Sequence, residues 1–155
     1  MIVSNFASNF RYKTMARVQI SLPDFIFETN IAVQIGDINY GNHLANDAIL
    51  KLCHEARLQF LQKHGYTEMN VDGCGLIMAD AMIKFSHQAF YGDILTFRIG
   101  IDSIERAGFS LITQIYNQTR AQETAIVKNG MVFFDYQKQS ICSTPLAFKQ
   151  RFRQT

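Results

Sequence analysis

The chain has 155 residues, 48% of them hydrophobic and 18% charged, and its 15 basic against 13 acidic residues give a net charge of +2. That length suits one domain with an ample core. The near-even charge excludes a protein organised around nucleic-acid phosphates, and the apolar content excludes a disordered chain. No apolar run approaches the ~20 residues that span a bilayer, so no membrane segment is expected. The three cysteines, Cys53, Cys74 and Cys142, form no CxxC pair. Neither a zinc knuckle nor a redox motif follows, and reduced thiols in a cytoplasmic compartment are the simplest reading.

The first twenty residues carry Arg11, Lys13 and Arg17 and no acid. They lack the continuous apolar stretch of a secretory signal and are weakly compatible with an organellar presequence. Met15-Ala16-Arg17 offers a simpler account, as an alternative start to Met1 with residues 1–14 upstream of it. Residues 1–24 read as an N-terminal extension and a candidate for disorder, as termini often are. Residues 25–155 read as a single domain, without repeat or linker.

The elements follow in chain order. Phe25–Ile35 predicts a half-buried strand, with Ile31, Val33 and Ile35 on one face and Asn30, Ala32 and Gln34 on the other. Gly36–Asn42 has the composition of a loop. From His43 to His64 the period becomes helical, with Ala45, Ala48, Ile49, Leu52, Cys53, Ala56 and Phe60 at steps of three and four. Leu50, Leu58 and Leu61 widen the stripe, which predicts a helix wrapped on most sides. Gly65 suits its terminus.

The period then falls back to two. Strands are expected over Gly75–His87, Ile94–Glu105, Phe109–Arg120 and Glu123–Tyr136. Within them, Leu95, Phe97, Ile99 and Ile101 share one face, and so do Val127, Met131 and Phe133. Turns fall at Tyr91-Gly92-Asp93, Ala107-Gly108 and Gln118–Gln122. Pro145–Thr155 is basic and amphipathic, and reads as a short docked helix. One strand, one long helix and four strands joined by short turns imply an α+β domain with an antiparallel sheet wrapped on the helix.

The run Gly36-Asp37-Ile38-Asn39-Tyr40-Gly41-Asn42-His43-Leu44-Ala45-Asn46-Asp47 opens the helix that carries His54-Glu55-Ala56-Arg57. Tyr91-Gly92-Asp93 precedes a strand, and Phe133-Phe134-Asp135-Tyr136 closes another. In this order, from Phe25 to Phe148, the chain resembles the hotdog-fold acyl-CoA thioesterases of the 4-hydroxybenzoyl-CoA type. The resemblance implies a hotdog fold, with a five-stranded antiparallel sheet around a central helix. It implies hydrolysis of an acyl thioester of coenzyme A or of acyl carrier protein, with no metal or redox cofactor. It also implies a homodimer or homotetramer with its sites at the subunit interface. In that family an acid commonly stands where this chain has Asn39, and a glycine commonly stands where it has Asn42.

The chemistry needs a polarised carbonyl and a delivered water. A helix amino end supplies unpaired N–H groups and a positive dipole end, and Leu44, Ala45 and Asn46 are the expected donors. Asp47, in the first turn, is the first candidate for the acid; a first-turn acid is also favoured by the dipole alone. Asp37 is the second candidate, against a purely structural role in the loop. Asn39 could hold the water or the carbonyl through its amide, or be a turn residue at positive φ. His43 could orient the water or act as the base, since imidazole titrates near neutral pH. Asn46 reads as a hydrogen-bonder near the substrate, and Asn42 as a candidate helix cap. Glu55 reads as a partner of Arg57, Arg17 or another base, with a catalytic role as the lesser alternative. The resemblance makes His87, Tyr91 and Gly92 a candidate pocket wall, against a tight turn with Gly92 at positive φ, and Lys84, Arg106 and Lys128 are candidate contacts for coenzyme A phosphates, against a solvated surface. A hotdog hydratase or dehydratase and a non-catalytic acyl-CoA-binding module are the alternatives.

Overall fold

A computed structural model describes residues 18–153 of the chain. The expected extension therefore falls largely outside the described residues, as do Met1, Met15 and Arg17. Residues 18–24 form no regular structure, but they are not detached. Pro23 and Asp24 lie so close on Gly100 that a Cβ there would come within 2.5 Å of the Asp24 carbonyl oxygen.

The elements in order are β1 (Phe27–Ala32), a 3-10 turn (Ile35–Asp37), α1 (Asn46–Lys63), β2 (Gly75–Phe85), β3 (Ile94–Ile104), β4 (Gly108–Asn117), β5 (Gln122–Asp135), β6 (Ser140–Ile141) and α2 (Leu146–Arg151). The strands form one antiparallel sheet in the order β1-β3-β4-β5-β2, and the two-residue β6 pairs with β5. The five expected strands are thus all present, and α1 packs on the concave face. This is the hotdog arrangement.

The core lies between helix and sheet. α1 contributes Ala48, Ile49, Leu52, Cys53, Ala56 and Phe60, and the sheet contributes the two expected faces, Leu95–Ile101 in alternate positions and Val127, Met131 and Phe133. The helix is not wrapped on most sides. Lys51, His54, Glu55 and Leu58 leave its outer face open, because the sheet curls round one side only. A Schellman motif ends it: Gly65 sits at φ +78°, its N–H reaches Gln62 O, and the Tyr66 N–H reaches Leu61 O at 2.9 Å. α2 seals that end of the core. Its Phe148 is fully buried, with ring centroids 4.7 Å from Phe109 and 4.8 Å from Phe152. Burial of a side chain of this kind contributes about 1.5–3 kcal/mol.

Two expectations shift at element ends. β1 stops at Ala32, and the 3-10 turn throws Ile35 out of the buried face, leaving it 73% exposed. α1 starts at Asn46 rather than His43, because Leu44 is held in an isolated bridge with Ile38 and Ala45 is extended. The sheet also carries two bulges that matter below. In β5, Ala125 faces Ile115 and Glu123 faces Tyr116, so Thr124 is the extra residue. In β2, Met78 faces Met131 and Asp80 faces Gly130, so Ala79 is the extra residue. There the Asp80 carboxylate folds back over the sheet to accept the Gly130 N–H at 3.1 Å, a contact that leaves no room for a Cβ on residue 130.

Candidate active site

The loop between β1 and α1 is built around Asp37, which is only 2% exposed. Its Oδ2 accepts the Gln34 N–H at 2.9 Å, its own N–H donates to Gln34 O at 3.0 Å, and its carbonyl accepts the Ala45 N–H at 2.9 Å. Lys51, from the second turn of α1, forms an ion pair with Oδ1. One residue, through its side chain and its backbone carbonyl, therefore ties the start of the loop, its end and the helix together. The middle folds as a tight turn. Asn39 Oδ1 accepts the Gly41 N–H at 2.9 Å, the Asn39 N–H donates to His43 O, and the Asn42 N–H donates to Asn39 O, both at 3.0 Å. Asn42, not Asn39, holds the positive φ, at 62°.

The amino end of α1 is uncapped. The cap position is Ala45, whose side chain has nothing to offer, and Asn42 stands too far upstream to serve. Two of the three expected donors are also spent. The Leu44 N–H goes to Ala89 O at 2.8 Å and the Ala45 N–H to Asp37 O. An α-helix leaves its first-turn N–H groups without intrahelical acceptors, so the open donors are those of Asn46, Asp47 and Ala48. The donor set has moved one or two residues into the helix, because Leu44 and Ala45 belong to the loop's own hydrogen bonding.

Beside this helix end lies a cleft of about 220 Å³, lined by His43, Leu44, Asn46 and Ile49 together with Phe85, His87 and Thr124. Four of the sequence-predicted residues thus meet in one place. His43 is half-buried, with Nδ1 3.1 Å from Leu44 O. The His87 Nδ1 lies 2.8 Å from Glu123 O, which turns the ring along the cleft's edge. Asp47 lies outside the lining, exposed on the first turn, and forms no hydrogen bond or ion pair among the described residues. Tyr91 is 67% exposed and Gly92 is a turn residue at φ +81°; neither lines the cleft.

Other expected partners are placed elsewhere. Arg57 is buried and pairs with Glu68 at 2.8 Å, not with Glu55, which instead accepts from Gln59 at 2.7 Å. Lys128 is committed to Asp102 at 2.7 Å. Arg106 follows the far end of β3, ~30 Å along the strand from Ile94. Lys84 remains beside Phe85, at the cleft end of β2. Asp93, behind the turn, is 3% exposed and accepts from the Phe90 N–H, Asn117 and Arg120. Burial alone would raise its pKa, but these three hydrogen bonds and the Arg120 charge outweigh it and hold the carboxyl below the usual range. Among the described residues no three His, Cys, Asp or Glu side chains are grouped to hold a metal ion, and no helix is long and apolar enough to cross a membrane.

A family model described as the thioesterase-like superfamily matches residues 33–152. The chain belongs to that superfamily. No curated protein matches it. Solved structures of similar fold include a 1,4-dihydroxy-2-naphthoyl-CoA thioesterase from Synechocystis, 20% identical with a TM-score of 0.72, over 81% of this chain and 94% of that one. A gentisyl-coenzyme A thioesterase is 19% identical with a TM-score of 0.70, over 79% of this chain and 99% of that one. A DHNA-CoA thioesterase from Staphylococcus aureus is 12% identical with a TM-score of 0.69, over 81% and 82%. At these identities the likeness of the solved structures is one of fold. Membership of the superfamily rests on the family match, which spans the loop, α1 and every later strand.

Sequence reasoning missed Thr124, Phe85, Ser86 and Ile49 as lining residues. Ile49 was legible only as core. Thr124 gave no signal, because a bulge does not show in the alternation where consecutive residues, here Thr124 to Val127, are all buried.

Proposed function

We propose that the protein hydrolyses acyl thioesters of coenzyme A or of acyl carrier protein to a free acid and a thiol. The observation that carries this is the uncapped amino end of α1 opening beside a cleft lined by His43, Asn46 and His87. The thioester carbonyl oxygen takes the N–H groups of Asn46 to Ala48, at the positive end of the helix dipole. Water adds to the carbonyl carbon while its proton passes to a base. The tetrahedral intermediate then expels the thiolate, breaking the C–S bond, and the proton returns to sulfur.

The carboxylate of Asp47 is the base in this reading, because it has no partner among the described residues and adjoins the open donors. His43 positions the water. Its Nδ1 donates to Leu44 O, a bond that leaves Nε2 free to accept. The amide of Asn39 holds the other side of that water, and Asp37 anchors the loop rather than reacting. Leu44, Asn46 and His87 shape the acyl site, and Ala45 sets the entry of the chain into α1 beside it. The outer edge of β2, with Met78, Met82 and Phe85 exposed, supports a homodimer or homotetramer in which a second copy covers the cleft from its Phe85 side. The three unbridged cysteines fit action in a reducing, cytoplasmic compartment.

The test is thiol release from short, long and aromatic acyl-CoAs, with a protein-only blank for the three cysteines. Turnover is expected on at least one class. Asp47→Asn is expected to lower kcat by about 10²–10⁴ while leaving ligand binding in place. Loss in His43→Gln with Asp47→Asn unaffected would move the base to His43. The second reading, a non-catalytic acyl-CoA-binding module, is favoured by the neutral Asn39 at the position where an acid is common. No turnover, with acyl-CoA still raising the melting temperature, is its signature.

A further inference from the structure

We propose that Thr124 is a further catalytic residue, whose hydroxyl donates to the thioester carbonyl oxygen alongside the open N–H groups of α1. The proposal rests on the thioesterase reading above and adds a group from β5, which lines the same cleft.

Thr124 is 3% exposed, and its Oγ1 is buried with no hydrogen-bond partner among the described residues. Buried hydroxyls are normally satisfied, and Thr96 and Thr144 show this here. The Thr96 hydroxyl donates to Asn30 Oδ1 at 2.9 Å and that of Thr144 to Glu105 O at 2.7 Å. An unmet hydroxyl costs stability, and valine would fill the same β-branched shape in a strand without that cost. The position therefore fits a group whose partner arrives with a ligand.

Its place in the fold supports this. Thr124 is the extra residue of the β5 bulge, and bulges re-aim side chains beside active sites. It lines the same cleft as Leu44, Asn46 and Ile49 at the start of α1. Its backbone is pinned, since the carbonyl accepts the Ser86 N–H at 2.9 Å and the His87 N–H at 3.2 Å. A donor held in this way needs no rearrangement when the carbonyl oxygen gains charge in the tetrahedral intermediate.

The experiment compares steady-state kinetics of Thr124→Val and Thr124→Ser with the unmodified protein, on the best acyl-CoA of the panel. Thr124→Val is expected to lower kcat by about 10²–10³ with KM nearly unchanged, as for loss of one oxyanion donor. Thr124→Ser keeps the hydroxyl and is expected to recover most of the rate. The melting temperature of Thr124→Val is expected to equal or exceed that of the unmodified protein, so a lower rate cannot come from unfolding. Thr124→Ala gives the same readout should the valine variant fail to fold. A kcat for Thr124→Val within about threefold of the unmodified protein overturns the proposal. So does a serine variant as slow as the valine one with its fold intact. An unmodified protein that turns over no thioester is a different failure: it refutes the thioesterase reading, and this proposal falls with it.

Discussion

Removing the Asp37 carboxylate tests whether that side chain holds the loop or does chemistry. In Asp37→Ala the Gln34 N–H loses an ionised acceptor at 2.9 Å, and Lys51 loses its partner. A hydrogen bond to a charged group contributes about 1.5–3 kcal/mol. Two facts place the loss toward the low end of that range. Gln34 is exposed, so its freed N–H can find water, and the Lys51 side chain is 61% exposed, so the ion pair adds ~0–1 kcal/mol at most. The expected loss is about 2 kcal/mol, or a fall in Tm of about 4–8 °C for a chain of this size. Urea unfolding measures it, and a double-mutant cycle with Lys51→Ala should give a coupling below about 1 kcal/mol. Activity separates the two roles. Asp37→Asn keeps an oxygen acceptor for the Gln34 N–H, so an anchor should retain most of its turnover in that variant and lose more in Asp37→Ala. An Asp37→Ala protein as stable as the unmodified one refutes the anchor. So does an Asp37→Asn protein that is fully folded yet as inactive as Asp37→Ala.

Asp93 gives a prediction in pH. Its folded pKa lies below the ordinary value, so its contribution to stability is complete above the unfolded pKa and is lost as pH falls through the folded one. Asp93→Asn should therefore cost about 2–3 kcal/mol at pH 7, and the gap to the unmodified protein should close as pH drops from about 5 toward 2; a gap that stays constant in acid would show that its charge contributes nothing. Gly108→Ala should destabilise by about 3 kcal/mol or more, because the new Cβ would sit on the Met131 carbonyl oxygen, a backbone atom that cannot turn aside. Gly36→Ala, with nothing within 4 Å, is its control and should lie within about 0.5 kcal/mol of the unmodified protein in chemical denaturation.

The long-period features were legible in the residues themselves. Helix α1 and the faces of β3 and β5 follow from side-chain periodicity over ten or more residues, where burial repeats often enough to be read. What escaped was set by single backbone events. The 3-10 turn that expels Ile35 leaves no trace in hydrophobicity, nor does the diversion of the Leu44 and Ala45 N–H groups into the loop. The β5 bulge that places Thr124 in the cleft is equally silent, since a one-residue insertion is invisible where consecutive residues are all buried. The Glu55–Arg57 pairing is absent for a different reason, and Arg17 lies outside the described residues. Glu55 lies two residues from Arg57 and so on another side of the helix, while Glu68 lies eleven residues away and beneath it. The cleft residues on the loop were readable because they are contiguous. Those on β2 and β5 come from distant parts of the chain, joined only by strand pairing.

The bulge at Ala79 has a consequence for how this protein behaves in concentrated solution. β2 ends the sheet and offers unpaired backbone groups, with Met78 and Met82 beside them. An uninterrupted strand of that kind is a template on which further chains can stack without limit. Here the ladder is broken at the fifth of the eleven residues of β2, and the carboxylate of Asp80 is drawn back over the sheet onto Gly130. A foreign strand laid along the whole edge would lose register at Ala79. Deleting Ala79 would straighten the ladder and remove the interruption, so the residue that looks like a flaw in the pairing is one of the edge's safeguards against fibrous association.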